Sequence, residues 1–203
     1  MPKLIFRWLI RTSATGYLRF GTQINKRVQD GLKLYWLSSD CECKLCTWET
    51  YFSNKIFRPL RHVDHVSYNN NFLKFAVSLS WRVLKYFQEL GGLNDFDDKI
   101  VKASDQALLN WKEFLFNNKN PGGYEQHLYN FIGEVSSSHS ELPVNINRYL
   151  QRSVEIDVQA SKNNAFVYTK LPGLLFIGYI KLNDSKPWRK TRICVTVELS
   201  PWN

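Results

Sequence analysis

The sequence predicts an α+β fold, with a helical N-terminal and central part packed on a C-terminal antiparallel β-meander. Three observations carry that expectation. Apolar residues recur at helical spacing through the first 118 residues, they alternate with a period of two after residue 150, and short Pro-Gly or polar turns separate the later segments.

The elements run in order. Leu4, Trp8 and Leu9 predict a helix over 3–11, broken by Thr12-Ser13-Ala14-Thr15-Gly16. Trp48, Tyr51, Phe52, Ile56 and Phe57 predict a second helix over 47–57, capped by Thr47 and ended before Pro59. The segment 71–90 is apolar on most sides, which marks a buried central helix, and Gly91-Gly92 stops it. Ile100, Ala103, Ala107, Leu108, Trp111, Phe114 and Leu115 form one stripe of a helix over 95–118. Asp95, Asp97 and Asp98 at its start complement the helix dipole. A loop with Pro121-Gly122-Gly123 comes next. Val154, Ile156 and Val158 then alternate with polar residues, and 165–171 reads as a second strand. Pro172-Gly173 turns the chain into a strand over 174–180, and Asn183-Asp184-Ser185 leads to a last one over 192–199.

A length of 203 residues fits a single domain. Within it, 1–60 reads as a degenerate zinc-finger-like region, 61–140 as a helical core and 141–203 as the β-meander. Seven Trp, ten Tyr and thirteen Phe predict a core built around large rings. The net charge of +9 is spread from Lys3 to Arg192 and favours an acidic partner, DNA or RNA first among them. No membrane partner is expected. The apolar stretch 72–84 is short and carries Lys74 and Arg82, and Leu4 to Ile10 is interrupted by Arg7 and lacks a small-residue cleavage site. A cytoplasmic location is the expectation.

Several chemistries are excluded. Gly91-Gly92 and Gly122-Gly123 match neither a phosphate-binding Walker loop nor a dinucleotide fingerprint, and no serine sits in a nucleophile elbow. Three of the four cysteines, Cys41, Cys43 and Cys46, fall within six residues. Such clustering reads as a metal motif in a reducing compartment, not as a disulfide framework. Zinc takes four ligands, and Cys41, Cys43, Cys46 and His62 are the candidates, with His65 beside them. His62 and His65 flank Asp64 and precede Asn69-Asn70-Asn71, so they are also the candidates for acid–base catalysis. Cys46, placed just before the helix expected at Thr47, is a candidate thiolate, with His62, His65, His127 or His139 as its base. Cys194 falls in a strand pattern and is expected in the core. Arg7, Arg11, Arg19, Lys26, Arg27 and Lys33 crowd the first 33 residues, interleaved with Tyr17, Phe20, Tyr35 and Trp36. Basic side chains meet phosphates and aromatic rings can stack on bases, so these are the candidate nucleic-acid contacts.

Further residues carry a family resemblance. Pro2-Lys3, Arg7-Trp8-Leu9, Thr12 to Arg19, Arg27 to Gly31, Asp40-Cys41-Glu42 and Trp48-Glu49 resemble a group of uncharacterised bacterial proteins. That group has a zinc motif like that of HNH or treble-clef nucleases. The resemblance covers mainly residues 2–60, with looser similarity at 78–82 and 147–150. In that group a Cys pair and a Ser-His-Ile-Ile-Pro-Lys element come first, with a Cys-x-x-Cys-Glu after them. Here Ser38 stands where the second pair has its first Cys, Cys41 fits, and Cys43 and Cys46 do not. The sequence begins at Met1-Pro2-Lys3, without the upstream pair or the His. The resemblance therefore implies a remnant of a zinc site, with no cofactor as the favoured reading and zinc as the metal of a completed one. The function expected is a basic, non-catalytic or degenerate HNH-like nucleic-acid-binding protein, linked to mobile elements or phage defence. The alternatives are an active metal-dependent endonuclease with a rearranged Cys/His site, and a protein-interaction module.

Overall fold

The computed structural model describes residues 2–20, 23–28, 36–63, 65–133, 135–138, 140–183, 186–194 and 197–199. Lys33, Tyr35, Asp64 and His139, all candidates by sequence, lie outside them. The fold is α+β, as the patterning predicts.

Helix α1, Lys3–Arg11, buries Ile5 and Leu9 on one side. After it comes an antiparallel hairpin of β1, Leu18–Phe20, and β2, Gln23–Val28. Helix α2 runs Ser39–Tyr51 and begins eight residues earlier than Thr47. Its cap is Ser38, whose hydroxyl accepts from the amide of Cys41 at 3.5 Å. Thr47 is no cap: mid-helix, its hydroxyl donates to the carbonyl of Cys43 at 3.1 Å. The chain continues into a π-helical turn, Phe52–Phe57, and a 3-10 turn, Pro59–Arg61. Strand β3, Val66–Tyr68, leads into α3, Asn70–Glu89. Asn69 caps α3, its side-chain oxygen accepting from the Asn71 amide at 2.9 Å. Helix α4, Asp98–Asn117, is capped by Asp97.

The remaining strands are β4, Gln126–Asn130, β5, Glu155–Ala160, β6, Ala165–Leu171, and β7, Leu174–Lys181. They form one antiparallel sheet in the order β4-β7-β6-β5. The expected meander is thus β5-β6-β7, and β4 joins β7 at the sheet edge. The last expected strand is realised at β8, Val197–Leu199, which pairs with β3 outside this sheet. Cys194 lies outside β8 and is exposed, contrary to its expected place in the core.

The sheet has two unlike faces because strand side chains alternate. Val158, Ala165, Val167, Leu171, Leu174, Phe176 and Ile180 are buried. Phe166, Tyr168, Leu175 and Ile177 alternate with them on the other face and are half-buried. Helix α3 lies against β5, β6 and β7, with α2 and α4 packed beside it. The short helix α5, Ile146–Arg152, precedes β5. Lys170 holds its C-terminal end, donating to the carbonyls of Tyr149, Leu150 and Ser153 at 2.7, 3.1 and 3.1 Å. No described helix is long and apolar enough to cross a membrane.

Helix and sheet come into tight contact at Gly178. A Cβ there would lie 2.2 Å from the Ser80 hydroxyl and 2.7 Å from the Ser80 Cβ. Ser80 in turn donates to the Gln126 side-chain oxygen at 2.7 Å, tying α3 to β4. Overpacking of this kind typically costs about 1–3 kcal/mol. Gly178→Ala should lower stability by about 2 kcal/mol in urea unfolding, and adding Ser80→Gly should restore about half of it. Equal stability of Gly178→Ala and the parent would show that α3 and β7 are not this close.

Candidate functional site

Helix α1 carries no acidic residue. Arg7 and Arg11, four apart, lie on one exposed face, since residues at that spacing are helix-surface neighbours. Trp8 lies between the two faces and is half-buried. Opposite stands the π-helical turn. There Phe52, Ile56 and Phe57 are buried, and the Arg58 amide donates to the Ser53 carbonyl at 3.2 Å, five residues back. A π-turn inserts an extra residue and rotates the side chains downstream of it, which is one reason such turns recur at functional sites. Here it delivers Ser53 and Arg58 to the same side as α1.

The result is a groove of about 370 Å³ lined by Leu4, Arg7, Trp8, Arg11, Ser53, Phe57 and Arg58. None of those residues is acidic, and among the described residues none of the three arginines pairs with a carboxylate. A smaller cleft of about 280 Å³, lined by Leu4, Cys46, Glu49, Thr50, Ser53, Asn54 and Arg58, continues from it. Its one acid is already engaged: Glu49 accepts from Arg82 of α3 at 2.7 Å.

Two further arginines build the wall behind the groove. The Arg61 guanidinium lies 3.6 Å from the Phe57 ring centre and 4.5 Å from that of Trp8. It donates to the Phe57 carbonyl at 2.5 Å and to the Pro172 carbonyl, in the β6–β7 turn, at 3.0 Å. Burial pulls its pKa down to about 10. Arg152 of α5 donates to the Leu9 carbonyl at 3.2 Å and the Thr12 hydroxyl at 3.1 Å, its guanidinium 5.7 Å from the Trp8 ring. Planar guanidinium groups suit such ring contacts, worth about 0.5–2 kcal/mol each. Trp8 is therefore held by Phe57, Arg61 and Arg152, and it fixes α1 against the π-turn.

The hairpin forms a second basic element. Arg19 and Arg27 face each other across β1 and β2, a like-charge pairing that disfavours the ladder. Tyr17 takes up both, with guanidinium-to-ring distances of 5.2 Å for Arg19 and 4.4 Å for Arg27. Arg19 also donates to the Tyr17 hydroxyl at 3.2 Å, and this bond lowers the phenol's pKa. Lys26 is exposed and, one residue from Arg27, points to the other hairpin face.

Of the candidate nucleic-acid contacts, the structure brings Arg7 and Arg11 together in the groove and Arg19 and Arg27 together on Tyr17, with Lys33 outside the described residues. Arg58, Arg61 and Arg152 are additions that sequence reasoning missed. A signal for the first two was present: residues 50–63 contain Lys55, Arg58 and Arg61 and no acid beyond the helix end.

The cysteine cluster is a helical segment, not a loop. At 3.6 residues per turn, Cys41 and Cys43 point about 160° apart, and Cys43 and Cys46 about 60° apart. Cys41 is half-buried and the other two are exposed. His62 and His65 are exposed, at the end of the 3-10 turn and before β3. Among the described residues, no three His, Cys, Asp or Glu side chains converge as a metal would require. Cys46 is in the middle of α2, so it lacks the helix N-terminus expected to activate it. Burial, then Glu49 and Cys43, push its thiol pKa up. His127 is fully buried, its ring nitrogens 2.9 Å from the Thr191 hydroxyl and 3.2 Å from Glu125. It joins β4 to the segment after β7.

Comparison with known proteins gives no match to this chain, whether among protein-family models, curated proteins or solved structures. The groove's own chemistry is what speaks for it: three guanidinium groups beside apolar ring surface suit an anion that carries an apolar body.

Two measurements check this geometry. Arg61→Lys keeps the charge but loses the planar ring contact and the two-carbonyl reach, so it should cost about 1–2 kcal/mol in urea unfolding. An unchanged midpoint would contradict the buttressing role. In a Cys41→Ser, Cys43→Ser, Cys194→Ser background, Cys46 should alkylate more slowly folded than unfolded at pH 8. A pH–rate midpoint below the ordinary thiol value of about 8.5 would contradict its environment.

Proposed function

We propose that this chain binds nucleic acid through the arginine groove and does not cleave it. The carrying observation is the convergence of Arg7, Arg11 and Arg58 on one groove with no acidic lining residue. Arginine forks match phosphate oxygens in pairs, and an unneutralised cationic cleft concentrates the field that draws a polyanion in. The hairpin adds a second basic surface at Arg19 and Arg27, with Lys26 on its other face. The net charge of +9 acts in the same direction over longer range.

The non-cleaving half of the reading is supported by where the candidate chemistry lies. The cysteines are distributed around α2, Cys46 is a poor thiolate, and His62 and His65 lie on exposed backbone after Pro59. A degenerate relation to HNH-like proteins, as the resemblance suggests, fits this arrangement. Four free thiols fit a reducing, cytoplasmic setting.

Filter binding to single- and double-stranded oligonucleotides across a salt series tests the proposal. Affinity should fall linearly on a log–log plot. Arg7→Ala, Arg11→Ala, Arg58→Ala together should reduce the slope by about 2–3, since each phosphate that goes unpaired removes roughly one unit. Absence of salt-dependent binding at micromolar protein, or an unchanged slope in the triple variant, would refute it.

A further inference from the structure

We infer that the groove takes a single strand, with a phosphate on the arginines and a base in the adjoining cleft, in preference to a duplex; this rests on the nucleic-acid reading above. The two clefts share Leu4, Ser53 and Arg58, so they adjoin. The pair's two ends differ chemically. One end carries Arg7, Arg11 and Arg58. The other carries Thr50, Asn54 and Ser53, hydroxyl and amide groups, with Glu49 held off by Arg82. Leu4 and the half-buried Trp8 give an apolar wall at the cationic end.

The lining separates the two ligands. Volumes of about 370 and 280 Å³ are on the scale of small-molecule pockets. A duplex is far too thick to enter and would offer only its outer phosphates to the arginines. Its base faces are stacked and its pairing edges are used, so the apolar wall and the Asn54 amide would meet nothing. An unpaired nucleotide presents these chemistries at once: phosphate for the guanidiniums and, in the adjoining cleft, a base whose ring meets Leu4 and whose edge meets Asn54 and Thr50. Sites for single strands combine these same elements, a cationic track and apolar or aromatic contact to the bases. Thr50 and Asn54 are exposed, so neither is needed for packing.

The test compares an oligothymidylate with the same sequence in duplex form, at one low salt concentration. The single strand should bind roughly tenfold tighter or more. Thr50→Ala with Asn54→Ala should weaken single-strand binding by about fivefold and leave duplex binding within about twofold. Arg7→Ala with Arg11→Ala should weaken both. Circular dichroism and the urea midpoint of each variant establish that it is folded. Equal or tighter duplex binding, or single-strand binding indifferent to the Thr50/Asn54 pair, would overturn the inference while leaving nucleic-acid binding standing. Absence of binding to both ligands by the parent would remove the underlying reading as well.

Discussion

Phe52 and Phe75 stack nearly parallel, ring centroids 3.9 Å apart, and the other elements are arranged around that contact. Phe52 also stacks on Phe72 at 6.2 Å and meets Phe176 of β7 edge-on at 5.9 Å. Phe72 and Phe75 both make edge contacts to Phe176, and Tyr68 of β3 closes on Phe72. One buried aromatic cluster therefore joins the π-turn, α3, β3 and the sheet. Offset and edge-to-face ring pairs add about 0.5–1.5 kcal/mol each beyond the area they bury, so the cluster also fixes orientation. This is the physical meaning of the chain's high aromatic content.

The groove is the outer consequence of that core. Phe57 packs against Phe52 at 5.7 Å on its inner side and against Trp8 at 5.4 Å on its outer side. Through Phe57 the core sets the position of α1, and with it Arg7 and Arg11. Arg61 and Arg152 then bind Trp8 to the β6–β7 turn and to α5 by carbonyl contacts instead of carboxylate ones. Using backbone carbonyls as partners leaves the region strongly positive. A salt-bridged version would hold the same elements together and abolish the field that attracts an anion. Packing and charge are thus coupled: the residues that fix the groove's shape also keep it cationic.

The parts legible in the sequence are those with long, regular apolar patterns. Helices α3 and α4 and the β6–β7 hairpin fall close to their expected limits because their burial repeats at 3.6 or 2 residues over many positions. The start of α2 was not legible. Only Leu45 and Trp48 are buried along it, and its cysteines read as ligands instead of as helix surface. Helix α5 buries none of its residues, so it has no pattern to find. Strands β3 and β4 are short and pair with segments more than 40 residues away, and nothing local announces such partners. Arg7 and Arg11 were visible because they belong to the crowd of basic residues in the first 33 positions. Arg58 lies in a basic stretch too, but its place beside α1 was not legible, because the π-turn shifts the phase by which a helix projects its side chains. Cys194 departs from its expected place because it is exposed and lies outside β8, Val197–Leu199.

On the proposed reading, a bound oligonucleotide covers α1 and the π-turn and leaves the outer face of the sheet open. Hydroxyl-radical footprinting of the protein with and without a bound oligonucleotide tests it most directly, because it reads side-chain shielding at each position. Oxidation should fall at Leu4, Trp8 and Cys46, with Phe166, Tyr168 and Ile177 unchanged. Shielding of the sheet residues with Trp8 and Cys46 unaltered would contradict it.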